Sequence, residues 1–309
     1  MKQADISRPG TVIAGLIHTI ANPQRKILMS NVQHSHINSF DKNWKQRKES
    51  FYTHWSKGKI LNQIQLAFRN HWSLLCELMK NPDFNQGKRV LEVGCGRGSL
   101  SCYFSNAGYD CMLLDISEGA IDIAQEIFKT NSLKATFKVG DVNTLPFEKK
   151  SFDVVFSIGL LEHLEDIEAP IKEQIRVLDD GGLFFGYIVP EYSDNIQKDY
   201  EWVNDILKGY AEDTAAEKEE VYRSDAGSEY YLPILKRYKL KDIQASGVYP
   251  LPMISHSKKF PFTLMPKESE KALVKQLEKM LEENGRKTGK HSWLCDEGYG
   301  QAFIIWGYK

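Results

Sequence analysis

The chain has 309 residues, 42% of them hydrophobic and 26% charged, with 40 Lys and Arg set against 41 Asp and Glu. That balance is ordinary for a globular protein and excludes a disordered chain, a collagen-like repeat and a small disulfide scaffold. The longest apolar runs, such as Phe303-Ile304-Ile305-Trp306, fall far short of the roughly 20 residues a membrane-crossing helix needs, so no span is expected.

Charge is unevenly spread. Residues 1–88 carry 13 basic against 5 acidic side chains, residues 89–190 carry 9 against 16, and residues 191–309 carry 18 against 20. The apolar stretch Thr11 to Ile20 is interrupted by His18 and lacks a small-residue cleavage pattern, so it reads as a surface or lid helix rather than a secretory leader. The five cysteines are odd in number and form no Cys-x-x-Cys pair, which points to a reducing, cytoplasmic setting and against a thiolate zinc site. No His, Asp and Glu cluster has ligand spacing, and no metal is expected.

In the basic first block Ile60, Ile64, Ala67, Trp72, Leu75 and Leu78 recur at helical spacing, and Asn81-Pro82-Asp83 ends the helix. From Arg89 short β-rich runs alternate with helical stretches, the pattern of βαβ units around a parallel sheet. Strands are predicted at Arg89 to Val93, Cys111 to Asp115, Thr136 to Val139 and Phe152 to Ser157, with a fifth from Leu183 to Val189 after the Gly181-Gly182 stop. Helices fall near 99–107, 117–130 and 167–178. Beyond Pro190 lies an acidic stretch rich in Tyr and Trp, read as an inserted cap over 191–232. Strands return at Leu240 to Val248 and Gln301 to Tyr308, separated by an insertion at 250–297 with a helix carrying Leu273, Leu277, Met280 and Leu281.

The run Glu92-Val93-Gly94-Cys95-Gly96-Arg97-Gly98 follows a buried strand and precedes a helix, where glycine lets a ligand approach the backbone closely. A dinucleotide fingerprint fails on spacing, because Ser99 or Ser101 occupies the slot of its third glycine. The run, followed by Asp115, by Gly140-Asp141-Val142 and by Phe152 to Ser157 leading into Leu161-Glu162-His163-Leu164, resembles class I S-adenosylmethionine-dependent methyltransferases, especially the small-molecule, ubiquinone-biosynthesis type. The resemblance implies a doubly wound, mostly parallel seven-stranded sheet over 89–309, preceded by a helical extension or lid over 1–88. It implies S-adenosylmethionine as methyl donor, with Gly94, Cys95, Gly96 and Gly98 against its methionine and ribose parts and Glu92 at its amine. Asp115 would take both ribose hydroxyls, since an acceptor-only carboxylate receives two O–H donors. Asp141 and the Val142 N–H would meet the adenine edge, and Ile116 and Ile158 its faces. Tyr52, Trp55 and Arg69 are candidates to cover the donor, Arg69 at its carboxylate.

For an acceptor whose proton must leave, His163 is the first candidate base, with Glu162 orienting it and His256 as a second candidate. The expected function is an enzyme methylating an O, N or C atom of a small-molecule acceptor. An RNA or protein methyltransferase docking through the basic first block, and a catalytically silent donor-binding relative, are the alternatives. Nucleic acid is disfavoured by Ser157-Ile158-Gly159-Leu160, which stands where adenine- and glutamine-directed relatives carry an Asn-Pro-Pro-Tyr-type motif. Oligomeric state is left open.

Overall fold

Alternating apolar side chains along Arg89–Val93 (β1) decide the layering: Val90 faces one side of the sheet, Leu91 and Val93 the other, and all three are fully buried. In the computed structural model, which describes Trp44 and residues 54–191, 194–209, 222–254 and 265–309, that strand lies inside an eight-stranded sheet. The other strands are Asp110–Asp115 (β2), Thr136–Val139 (β3), Phe152–Ile158 (β4), Leu178–Ile188 (β5), Lys241–Val248 (β6), Leu294–Cys295 (β7) and Ala302–Tyr308 (β8). Their order is β3-β2-β1-β4-β5-β8-β6-β7. Strands β1 to β5 pair in parallel, whereas β8 runs antiparallel between β5 and β6.

The helices Gln63–Leu78 (α1), Ser99–Asn106 (α2), Glu118–Thr130 (α3) and Lys267–Thr288 (α8) bury residues such as Leu75, Phe104, Phe128 and Leu277 against one face. Glu168–Val177 (α4) and Ser228–Arg237 (α7) cover the other face through Ile171, Ile175, Tyr231 and Leu235. Two short helices, Ile196–Asp199 (α5) and Glu201–Gly209 (α6), stand between β5 and α7 in the chain. Caps explain two starts: the Asn62 side chain accepts the Gln65 N–H and the Ser117 hydroxyl accepts the Ala120 N–H. Among the described residues no helix is long and apolar enough to cross a membrane.

Two details depart from expectation. The sheet has eight strands rather than seven, because Leu294 and Cys295 pair with Val248 and Gly247 at the outer edge. A two-residue strand is too short to leave a period. The fifth strand starts at Leu178, before the expected glycine stop: Gly181 takes φ +69° and the register with β4 shifts there, so the strand is bulged rather than ended.

The amino edge is held by charge. Asp153 is buried and accepts from the Arg89 N–H at 2.8 Å, from its Nε at 3.0 Å and Nη2 at 2.7 Å, and from the Asn85 amide at 3.2 Å. Burial works against ionisation of this carboxyl, but the Arg89 and Asn85 donors outweigh it and hold it below the usual carboxylate range. The carboxyl edge, at the other end of these parallel strands, is thereby left for chemistry.

Candidate active site

At the end of β1 the chain turns through Gly94 (φ +66°), Gly96 (φ +49°) and Gly98 (φ +64°), all left-handed, before entering α2 at Ser99. Only glycine takes this conformation three times without strain. A Cβ on Gly94 would sit 2.9 Å from the Leu160 side chain, and one on Gly98 would collide with Leu113. The turn closes on itself and on β2 through Gly98 N–H to the Cys95 carbonyl (2.7 Å) and Cys95 N–H to the Leu114 carbonyl (3.0 Å).

Asp115 ends β2 with its carboxylate aimed at this corner. One oxygen accepts the Gly96 N–H and the other the Ser117 N–H, each at 2.9 Å. The Gly140 N–H bonds the Asp115 carbonyl at 2.9 Å, which brings the tip of β3 alongside. Asp141 is exposed and accepts both donors of Asn143 at 2.8 Å, while Val142 is buried in the second core. Ile116 and Ile158 are half-buried at the ends of β2 and β4. The corner thus groups Gly94, Gly96, Asp115 and the β3 tip along one edge.

Glu92 lies beneath it, buried, with one carboxylate oxygen accepting the Ser101 hydroxyl at 2.5 Å and the Ser101 N–H at 3.3 Å. Burial raises this carboxyl to about 8 against the pull of the Ser101 bonds, and the Asp115 charge adds to the rise. Burial and the same two carboxylates push the Cys95 thiol well up, so it stays neutral.

The expected pair Glu162 and His163 is split. Both follow β4 in a 3-10 turn, Leu161–His163, but the Glu162 carboxylate turns inward and accepts the Val189 N–H at 3.2 Å. The His163 ring turns outward, its Nδ1 2.7 Å from the Tyr222 carbonyl. Arg69 spends its guanidinium on the Ser56 and Gly58 carbonyls at 2.7 and 2.8 Å, which ties it to the loop before α1. Trp55 is buried, bonded to Asn131 and edge-on to Tyr103. His256 and Tyr52 lie outside the described residues, as do Tyr192 and Tyr210 of the cap. Of the other cap aromatics, Tyr231 packs on Phe303 in the second core whereas Trp202 is 63% exposed.

Sequence reading missed three neighbours of the corner. The Trp44 ring lies against Gly96, where a Cβ would come within 2.9 Å of it, and the Arg97 guanidinium stands 5.9 Å from the same ring. The His54 Nδ1 and Ser99 Oγ are 2.8 Å apart at the start of α2. A buried His71 accepts the Trp293 indole N–H at 3.1 Å, and burial lowers its pKa to about 3, so it is neutral with its proton on Nε2. No local periodicity marks any of these. Gln63 and Gln197 likewise each exchange two hydrogen bonds with a backbone position, Ile254 and Met253 respectively, of the segment after β6.

Comparison with known proteins follows the same residues. A family model described as a methyltransferase domain matches residues 91–186. A ubiquinone biosynthesis O-methyltransferase of Pelagibacter ubique is 35% identical over 97 residues, covering 31% of this chain and 40% of that protein. A norajmaline N-methyltransferase of Rauvolfia serpentina is 36% identical over 97 residues, covering 30% and 33%. The chain spans less than half the length of these curated relatives. Among solved structures, a methyltransferase of Thermotoga maritima matches with a TM-score of 0.49 and 15% identity over 88% of this chain and 99% of that one.

The corner suits the family's donor on its own chemistry. Three left-handed glycines leave backbone where side chains would intrude, and a buried carboxylate at the end of β2 meets the need for a ribose acceptor. The chain therefore carries, over residues 91–186, a class I S-adenosylmethionine-dependent methyltransferase domain.

Proposed function

We propose that the protein moves a methyl group from S-adenosylmethionine to an oxygen, nitrogen or carbon atom of a small-molecule acceptor. The observation that carries this is the Asp115 carboxylate facing the Gly94 to Gly98 turn across a 2.9 Å bond to the Gly96 N–H. In this reading Gly94, Cys95, Gly96 and Gly98 receive the methionine and ribose parts, Glu92 the amine, Asp115 the ribose hydroxyls, and Asp141, Val142, Ile116 and Ile158 the adenine. Arg69, although its Nη2 bonds the Ser56 and Gly58 carbonyls, would stand toward the donor's carboxylate.

When bound, S-adenosylmethionine supplies an activated methyl on a sulfonium, open to in-line displacement by the acceptor. The chain's own contribution is then mainly positioning, for which effective molarities of roughly 10⁵ to 10⁸ M are available. Glu162 and His163, after β4 at the carboxyl edge, stand on the acceptor side. The described parts of the first block (54–88) and of the cap (194–209 and 222–232) would cover the two ligands, the rest of both lying outside the described residues. The O- and N-methyltransferase relatives support a small acceptor, and the five free thiols support a reducing, cytoplasmic setting.

Calorimetric titration with S-adenosylhomocysteine tests the donor site. Saturable binding by the wild type, abolished in Gly96→Val with the fold kept by circular dichroism, is the expected result. No binding by the wild type would overturn the reading.

A further inference from the structure

We propose that Glu162 acts on the acceptor directly, accepting the hydrogen of a hydroxyl or amine on Oε2. The proposal rests on the methyltransferase reading above.

Glu162 is 1% exposed. Its Oε1 accepts the Val189 N–H and its backbone carbonyl accepts the Ser224 N–H at 2.8 Å, but the buried Oε2 has no hydrogen-bond partner among the described residues. Buried carboxylate oxygens are rarely left so, because the lost solvation is not returned. The adjacent His163 places its Nδ1 on the Tyr222 carbonyl.

A second polar group stands close by. Tyr187 is buried on β5 opposite Ile158 in register, and its electrostatic neighbours are Glu162, Arg223 and Cys295. Glu162 and Tyr187 thus stand at the ends of adjacent parallel strands, on the edge where open α/β sheets bind ligands. A row of rings leads there from the glycine corner. His54, at 2.8 Å from Ser99, stacks on Phe68 at 5.0 Å; Phe68 meets His71 at 5.6 Å, and His71 meets Tyr187 at 4.5 Å.

The step balances. A bond forms from the acceptor oxygen or nitrogen to the methyl carbon as the sulfur–methyl bond breaks, its electron pair stays on sulfur, and the acceptor's proton passes to Oε2. Burial raises Glu162 to about 7 against the Val189 N–H and the Arg223 charge, which places it where a base is useful at neutral pH.

Phenol and anisole differ by the hydrogen in question and serve as probes, measured by ligand-observed NMR with S-adenosylhomocysteine present. Phenol should bind the wild type about tenfold more tightly than anisole at pH 8, with the preference falling as pH drops through about 7. In Glu162→Gln, whose amide oxygen can still receive the Val189 N–H, the ratio should approach one at every pH. Glu162→Asp, which withdraws the carboxylate by one methylene, should reduce it and serves if the glutamine variant does not fold. A wild-type ratio near one, including no detectable binding of either probe, or a preference that survives both variants, overturns the proposal. Binding of S-adenosylhomocysteine without phenol preference overturns only this inference; failure to bind it overturns the methyltransferase reading as well.

Discussion

The Gly96 N–H and the Asp115 carboxylate are joined by a 2.9 Å hydrogen bond that ties the turn after β1 to the end of β2. The same carboxylate is the proposed ribose acceptor, so one side chain both shapes the corner and waits at its mouth. Asp115→Ala should then weaken S-adenosylhomocysteine binding by about 10- to 100-fold and cost about 1–3 kcal/mol of stability. Calorimetry and urea unfolding read the two effects, and Asp115→Asn, which keeps one acceptor oxygen, should fall between.

Gly98 and Gly289 share φ values of +64° and +65° but not surroundings. A Cβ on Gly289 meets nothing within 4 Å, whereas one on Gly98 collides with Leu113 and comes within 3.1 Å of Phe128. Gly289→Ala should cost about 1–2 kcal/mol, the left-handed penalty alone. Gly98→Ala should add about 1–3 kcal/mol for overpacking. Equal losses in urea unfolding would show that the corner is less tightly packed than its geometry states.

Asp153 separates fold from function. It accepts the Arg89 and Asn85 donors at the amino edge, and Arg89 keeps Asp179 as a partner, so Asp153→Ala should destabilise by about 1–3 kcal/mol through the lost bonds to the Arg89 N–H and Asn85, while affinity for S-adenosylhomocysteine stays unchanged. Because its folded pKa is depressed, its stabilisation is present at neutral pH and is lost as pH falls through the carboxylate range.

Glu92 has the opposite sign. Its pKa of about 8 in the fold exceeds the ordinary 4.5, so the native state holds the proton more tightly, and the stability this contributes is present below 4.5 and lost as pH rises to about 8. Glu92→Gln should remove that decline. The stability difference between wild type and variant, measured by urea unfolding across this interval, should fall with rising pH.

Much of the sheet was legible because its inner strands are buried on both faces and its first five are separated by helical periods or turn residues. Arg89–Val93 and Thr136–Val139 have the expected limits to the residue, and Asp110–Asp115 begins one residue early. The start of β5 was not legible, since Gly181 reads equally as a stop or a bulge until the neighbouring strand is known. At the site, the glycine turn and Asp115 are local in sequence and were visible. The direction of Glu162 was not: it depends on Val189, 27 residues on, and its assumed partner His163 faces the other way. The partners of Arg69 were not legible for a similar reason, because the carbonyls of Ser56 and Gly58 carry no sequence signal.

The most direct test is transfer of isotope-labelled methyl from S-adenosylmethionine into a cell extract, separated afterwards into small molecules, RNA and protein, with wild type and Asp115→Ala side by side. Label in the small-molecule fraction that falls sharply with Asp115→Ala is the predicted result. Label confined to RNA or protein, or no transfer to any fraction, would contradict a small-molecule methyltransferase.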